Sequence, residues 1–362
     1  MTVSAELDTL FRPMTLGEIP VANRVVMAPL TRLRADQDGT PGEMVARYYA
    51  QRAGMGLIVS EGTFPTEASR GYLGQPGLVD ATHQAAWAAV ASAVHERGGQ
   101  IVVQLMHAGR LTHPGINGGR EVLAPSAIAA PGTARTEAGK ERFPIPAALT
   151  TTEAAGVADQ FVGAAQRAVA AGLDGVEIHA ANGYLLHQFL APNSNRRTDE
   201  YGGSPRNRIR LVEQVIDSVS DAIGPGRVGL RISPQHDVQG TLEADPADVM
   251  ETYGTLVDYV SRRGLAYLSI LHRDPGGSLV QDLRRRFAGS LIMNSGFASA
   301  TTLADACTML RDAGADAVAV GRAAIANPDL VERWRDGHPL NAADPQTFYV
   351  GGAEGYIDYP HR

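Results

Sequence analysis

His179, Asn182 and Tyr184 fall within six residues of one another, in the run Gly175-Val176-Glu177-Ile178-His179-Ala180-Ala181-Asn182-Gly183-Tyr184. The run opens as an apolar, β-branched strand and turns polar where that strand should end. An imidazole and a carboxamide can both donate to an oxygen on which charge develops, and a phenol beside them can deliver a proton. Core packing needs none of the three. A lone histidine in such a place more often anchors a loop, but two further polar groups beside it favour chemistry.

Groups of this kind need strands and loops to converge on them. Eight short apolar runs are predicted as strands: 25–28, 57–60, 101–105, 175–178, 228–232, 266–271, 290–293 and 317–320. Helix-like segments follow each of them or lie between them, at 42–53, 81–97, 152–171, 205–223, 246–263, 279–287, 300–313 and 327–336. Eight strand–helix units in about this length are the pattern of an α/β, (β/α)8 TIM barrel. A doubly wound sheet would carry an early glycine-rich turn, whereas Pro29-Leu30-Thr31 follows the first run here. No composition shift marks a linker, so residues 1–362 are expected to form a single domain. The stretch 108–150 after the third strand is long and rich in Gly and Pro, the mark of a functional loop or lid. A tail at 341–362 carries Phe348, Tyr349, Tyr356 and Tyr359 and is expected to pack down.

Active sites of such barrels lie at the C-terminal ends of the strands. Polar residues stand at nearly every one: Thr31, Glu61 and Gly62, Gln104, His179 to Tyr184, Arg231, Ser295 and Gly296, Gly321 and Arg322. At the seventh and eighth strands, small residues and an arginine suit a phosphate, because glycine lets backbone N–H groups approach and Arg offers a two-pronged donor. Glycine at a strand–helix turn is also common, and Arg322 could equally serve a surface ion pair. Gln104 and Arg231 could both face the barrel mouth. A permanently charged guanidinium suits a ring that becomes anionic, such as a reduced flavin. A structural ion pair of Arg231 with Glu61 or Glu177 is an equal alternative on residue type.

Other chemistries find little support. The histidines are scattered without zinc-ligand spacing, so no metal site is expected. No Gly-x-Ser-x-Gly elbow is present. Cys307 is the one cysteine, which excludes an intrachain disulfide and a cysteine-ligated cluster. It reads as a small buried apolar residue of a helix. Arg284-Arg285-Arg286 reads as a solvated helix face. The net charge of −7 argues against nucleic-acid binding. No long apolar run suggests a membrane span, and no basic-then-apolar leader is visible, so a cytoplasmic protein is expected.

The chain resembles the old yellow enzyme family of FMN-dependent ene-reductases. The likeness is carried by Asn23-Arg24-Val25-Val26-Met27-Ala28-Pro29-Leu30-Thr31-Arg32, by Gln104-Leu105-Met106-His107-Ala108-Gly109-Arg110, and by the 179–184 block with Asp199-Glu200-Tyr201-Gly202-Gly203-Ser204. It continues in Gly321-Arg322, Ala326-Asn327-Pro328-Asp329 and Ala353-Glu354-Gly355-Tyr356, and so spans essentially the whole chain. No single piece is decisive; the set in this order is specific. The resemblance implies a tightly bound, non-covalent FMN. Thr31 would bond its O4, with Pro29 and Leu30 lining the ring and Gly62 leaving room for it. Gln104 would meet the pyrimidine side, Arg231 the N1/O2 charge, and Ser295, Gly296, Gly321 and Arg322 the phosphate. It further implies that His179 and Asn182 grip a substrate oxygen, that Tyr184 donates the proton, and that Tyr72, Met106 and Tyr349 wall the pocket.

Thr31 sets the chain apart from the thermophilic-like branch, which has cysteine there. Met106 stands where many relatives carry tryptophan, which should widen the pocket. The implied activity is ping-pong, NAD(P)H-dependent reduction of small activated alkenes: unsaturated carbonyls, imides or nitroalkenes. Reduction of nitrate esters or nitroaromatics at the same site is the alternative. A flavin-free lyase or isomerase acting on a phosphorylated substrate is a more distant one, and the one lysine, Lys140, lies in the 108–150 loop and not at a strand end. Monomers and homodimers both occur among relatives.

Overall fold

Strands built from the eight apolar runs pair in parallel, in chain order, into one closed barrel in a computed structural model of the protein. They span Val25–Met27, Leu57–Val59, Ile101–Leu105, Gly175–Ala180, Val228–Ile232, Tyr267–Leu271, Leu291–Asn294 and Ala317–Val320. Pairing of the eighth with the first, Val318 to Val25 through Val320 to Met27, seals the ring. The structure describes residues 3–298 and 300–362, with side chains from residue 7 onward.

Alternation along each strand divides the apolar residues between two cores. Val26, Leu57, Val59, Val102, Tyr267, Ile292, Ala317 and Ala319 form one cluster, which fills the barrel. Their neighbours Met27, Ile58, Val103, Ile178, Leu230, Ile270, Met293 and Val320 face the other way and pack against the helices. At the N-terminal end a hairpin of Met14–Leu16 with Ile19–Val21 adds Leu16, Ile19 and Val21 to the inner cluster and plugs the barrel. Only the opposite end is left for polar groups.

Close packing inside the barrel explains Gly229 on the fifth strand. A Cβ there would lie 2.2 Å from the Tyr267 ring. Gly229→Ala is therefore expected to cost about 1–3 kcal/mol as an overpacking substitution, seen as a lower melting temperature.

Three expectations are refined. The fourth strand continues two residues beyond Ile178, because His179 and Ala180 still pair with Arg231 and Ile232. The segment 205–223 divides into Pro205–Arg208 and Arg210–Ile223, joined at Ile209. The 108–150 stretch is not bare loop. Leu123–Ala124 pairs with Ala147–Ala148, and Thr133–Thr136 with Gly139–Arg142 forms a hairpin.

The tail packs down on the loop after the first strand. Buried Arg32 donates to the carbonyls of Phe348 and Gly355 and to the Tyr48 hydroxyl. Arg34 donates to the carbonyls of Thr347, Phe348 and Val350. Tyr356 stacks on Tyr48 with ring centres 4.1 Å apart. No helix among the described residues is long and apolar enough to cross a membrane.

Candidate active site

Strand register sets the floor of the site. His179 is level with Arg231, which is level with Ser269, while Glu177 is level with Gln104. Interior-facing positions on these strands are thus polar near the C-terminal end and apolar below it. Glu177 accepts from Gln104 Nε2 at 2.7 Å. Burial raises its carboxyl, opposed by Arg231 and Gln104.

Arg231 is 3% exposed. Its Nε has no partner among the described residues, and its one side-chain bond is a long 3.4 Å contact to Ser269. Neither proposed ion-pair partner reaches it: Glu61 instead accepts from the N–H groups of Arg32 and Leu33, 2.9 Å each. Glu177 acts on it only from beyond ion-pair distance. A buried guanidinium in this condition calls for an anionic partner.

Past Ala180 the chain turns sharply. Asn182 and Gly183 both take left-handed backbone angles, φ +55° and +83°. The turn is held by Asn182 N–H on Ser233 Oγ (2.8 Å), Gln239 Nε2 on the Asn182 carbonyl (2.9 Å) and Gly183 N–H on His187 Nδ1 (2.9 Å). Gln188 Nε2 donates to the Gly183 carbonyl. Tyr184 then caps the short helix Leu185–Leu190. Its ring centre lies 5.0 Å from that of His179, and its hydroxyl is 2.7 Å from that of Tyr72.

Electrostatics separate the roles open to these groups. Burial, then Arg231 and His187, hold the His179 imidazole well below its ordinary value, so it is neutral near pH 7 and one ring nitrogen keeps a proton to donate. Its Nδ1 and the Asn182 Oδ1 are buried without partners among the described residues. Burial raises the Tyr184 phenol, and the bond from Tyr72 partly offsets that rise. Tyr184 therefore stays protonated near neutral pH, with a neighbour able to stabilise the oxygen once its proton has left.

His107, next to this turn, is pushed down to about 4 by burial. Its folded pKa lies below its unfolded one, so its stabilising contribution is present above pH 6.5 and is lost as pH falls towards about 4. Melting temperature is expected to decline across that window, and less steeply in His107→Asn.

The walls are apolar. Met106, Ala108, Leu111, Ala130 and Tyr184 cluster with Tyr72 and with Phe143, which follows the 133–142 hairpin. Gly62 faces Met106 closely, a Cβ there lying 2.6 Å from its sulfur. Tyr349 is 57% exposed, yet near enough to act on the Tyr72 and Tyr184 phenols. Pro29, Leu30 and Thr31 are partly buried at the end of the first strand.

Strands seven and eight bring Ser295, Gly296, Gly321 and Arg322 together. Gly296 has φ +88°, and its N–H donates to Asn294 Oδ1. Arg322 donates to the Phe297 carbonyl, and a Cβ on Gly321 would touch only Leu30.

A buried guanidinium with an unpartnered Nε, a glycine at each of the seventh and eighth strand ends and Arg322 beside them are what a planar anionic ring with a phosphate tail would require. The residues present therefore fit FMN. Ser233, Gln239, His187, Gln188 and Phe143 went unassigned in the sequence. Ser233 directly follows the fifth strand in the sequence, but nothing local tied the other four to the turn or the pocket.

Comparison with known proteins agrees with this geometry. The model of the NADH:flavin oxidoreductase / NADH oxidase family matches residues 9–341. The chain is 39% identical over 366 residues to a probable flavin mononucleotide-dependent alkene reductase of Leishmania infantum, covering 99% of this chain and 98% of that one. Its identity to 12-oxophytodienoate reductase 2 of Arabidopsis thaliana is 35% over 365 residues, covering 97% and 95% of the two chains. Among solved structures, morphinone reductase in complex with tetrahydroNAD superposes with a TM-score of 0.92 at 43% identity, covering 98% of this chain and 97% of that one. This chain belongs to the NADH:flavin oxidoreductase / NADH oxidase family, the FMN-dependent, NAD(P)H-oxidising old yellow enzymes.

Proposed function

We propose that the protein reduces the C=C bond of small activated alkenes (unsaturated aldehydes, ketones, imides or nitroalkenes), with NAD(P)H and substrate using the same mouth in turn. The observation that carries this reading is that the His179 and Tyr184 rings lie 5.0 Å apart, while His179 Nδ1 and Asn182 Oδ1 are buried without partners among the described residues. When bound, FMN supplies the two-electron link, accepting hydride from NAD(P)H and passing it to the substrate β-carbon.

Everything else falls to the chain. Arg231 offsets negative charge on the ring's N1/O2 side. The Gln104 carboxamide gives one N–H to Glu177, which leaves its other N–H and its carbonyl oxygen for the pyrimidine edge. Ser295, Gly296, Gly321 and Arg322 hold the phosphate, while Pro29, Leu30, Thr31 and Gly62 bound the ring. His179 and Asn182 donate to the substrate oxygen as charge collects there. Tyr184 gives its phenolic proton to the α-carbon, and the Tyr72 hydroxyl donates to the oxygen left behind. Met106, Phe143 and Tyr349 exclude water and select the guest by shape.

Steady-state assay of cyclohexenone, a maleimide and glycerol trinitrate tests the substrate class. Faster turnover of the two alkenes is expected, and turnover of the nitrate ester alone would overturn the reading. Phe143→Ala is expected to raise KM for bulky alkenes without much change in kcat, since Phe143 packs on the cluster that walls the pocket and itself donates no hydrogen bond or proton.

A further inference from the structure

We propose that His187 is a positioning residue that fixes Asn182 and Tyr184 by accepting the Gly183 N–H, and that Glu243 fixes His187 in turn. The proposal rests on the roles just given to Asn182 and Tyr184.

Two left-handed residues in succession, the first of them not glycine, are a costly way to turn a chain, and neighbouring groups must hold them there. The N–H in the middle of that turn belongs to buried Gly183, and its partner is a side chain, His187 Nδ1, at 2.9 Å. An accepting Nδ1 carries no proton, so the ring's proton sits on Nε2. That nitrogen lies 3.4 Å from Glu243 Oε1, a charge contact without hydrogen-bond geometry, and has no hydrogen-bond partner among the described residues. His187 is fully buried and Glu243 is 4% exposed.

Glu243 is itself held from two sides. Its Oε1 accepts from the Tyr253 hydroxyl at 2.8 Å and its Oε2 from the Gln235 N–H at 2.7 Å. Gln235 stands in the loop after the fifth strand, where Gln235, Asp237 and Gln239 also adopt positive φ. That loop supplies Ser233 and Gln239 to the Asn182 backbone. The fully buried imidazole thus sits between two loops with left-handed residues, bonded to one and in contact with the carboxylate that holds the other.

The two nitrogens of His187 can be separated by substitution. Asparagine places an acceptor where Nδ1 stands and abandons Glu243. Glutamine reaches towards Glu243 and leaves the Gly183 N–H without an acceptor. In the FMN-bound enzyme, His187→Gln is expected to lower kcat for alkene reduction by ~10–100-fold, the scale of a misplacement of about 1 Å. Phenol affinity, read from the flavin spectrum, should weaken at the same time, while KM for NAD(P)H holds. His187→Asn is expected to restore most of both. Equal damage in the two variants, no damage in either, or damage confined to the asparagine variant would overturn the proposal.

Asn182→Ala and Tyr184→Phe serve as controls. If these leave alkene reduction intact, the reading of the site fails whatever His187 does. If they abolish it while His187→Gln does not, this proposal alone fails. Should the glutamine variant not fold, hydrogen exchange in the unaltered protein decides. Slow exchange of the Gly183 N–H is expected, and exchange at the rate of an open loop overturns the proposal.

Discussion

Tyr184→Phe is expected to reduce alkene turnover by ~10²–10⁴-fold, the usual worth of a positioned proton donor. It should leave the NAD(P)H-consuming half-reaction nearly unchanged. The substitution removes one oxygen and keeps the ring against His179, so shape and apolar contact persist. What is lost is the proton and its 2.7 Å bond with Tyr72. Rapid-mixing measurements under anaerobic conditions separate the halves. An equal fall in both would mean that Tyr184 shapes the site and does not deliver the proton. Tyr72→Phe should have a smaller effect in the same direction, because Tyr72 stabilises the departing proton's oxygen without supplying the proton.

Loss of the oxygen-binding pair should be larger still. Removal of one donor to a developing oxyanion typically costs ~10²–10³-fold, and His179 and Asn182 are two. His179→Ala with Asn182→Ala is therefore expected to bring alkene reduction close to background. Phenols, whose oxygen resembles an enolate, should lose affinity in parallel. Neutral His179 adds a pH test. Its imidazole is held well below the ordinary value, so it stays neutral as pH is lowered modestly from 7. The wild-type rate should show no histidine-like step near pH 6.5, and such a step that vanishes in His179→Asn would contradict the neutral-donor role.

The barrel was legible because each strand is a short, nearly continuous apolar run, the signature of a strand buried on both faces. Strand ends were less so. Ile178 looked terminal because polar His179 follows it, yet inside a barrel mouth a polar residue can remain in the ladder, as its pairing with Arg231 shows. The 133–142 hairpin was hidden by its polar, largely exposed residues, which offer no strong periodicity. The buried clamp of Arg32 on the tail joins residues more than 300 positions apart. No local pattern reveals a partner at that distance.

The site divides the same way. His179, Asn182 and Tyr184 were visible because they crowd into one strand end. Gln104 and Arg231 were visible as residue types but not as partners. Only the fold shows that Glu61 serves the backbone of Arg32 and Leu33 and so leaves Arg231 unpaired. His187 lies eight positions beyond His179 on an apolar helix, and no local pattern singles it out. Its meaning depends on Glu243, which arrives from the next strand's loop.

A crystal structure of the FMN-bound protein soaked with a simple phenol tests the central claim most directly. The phenol oxygen is expected within ~2.7–3.2 Å of both an imidazole nitrogen of His179 and the Asn182 carboxamide, with the Tyr184 hydroxyl above the phenol ring. A phenol bound with its oxygen turned away from both donors, or seated outside the barrel mouth, would contradict the account.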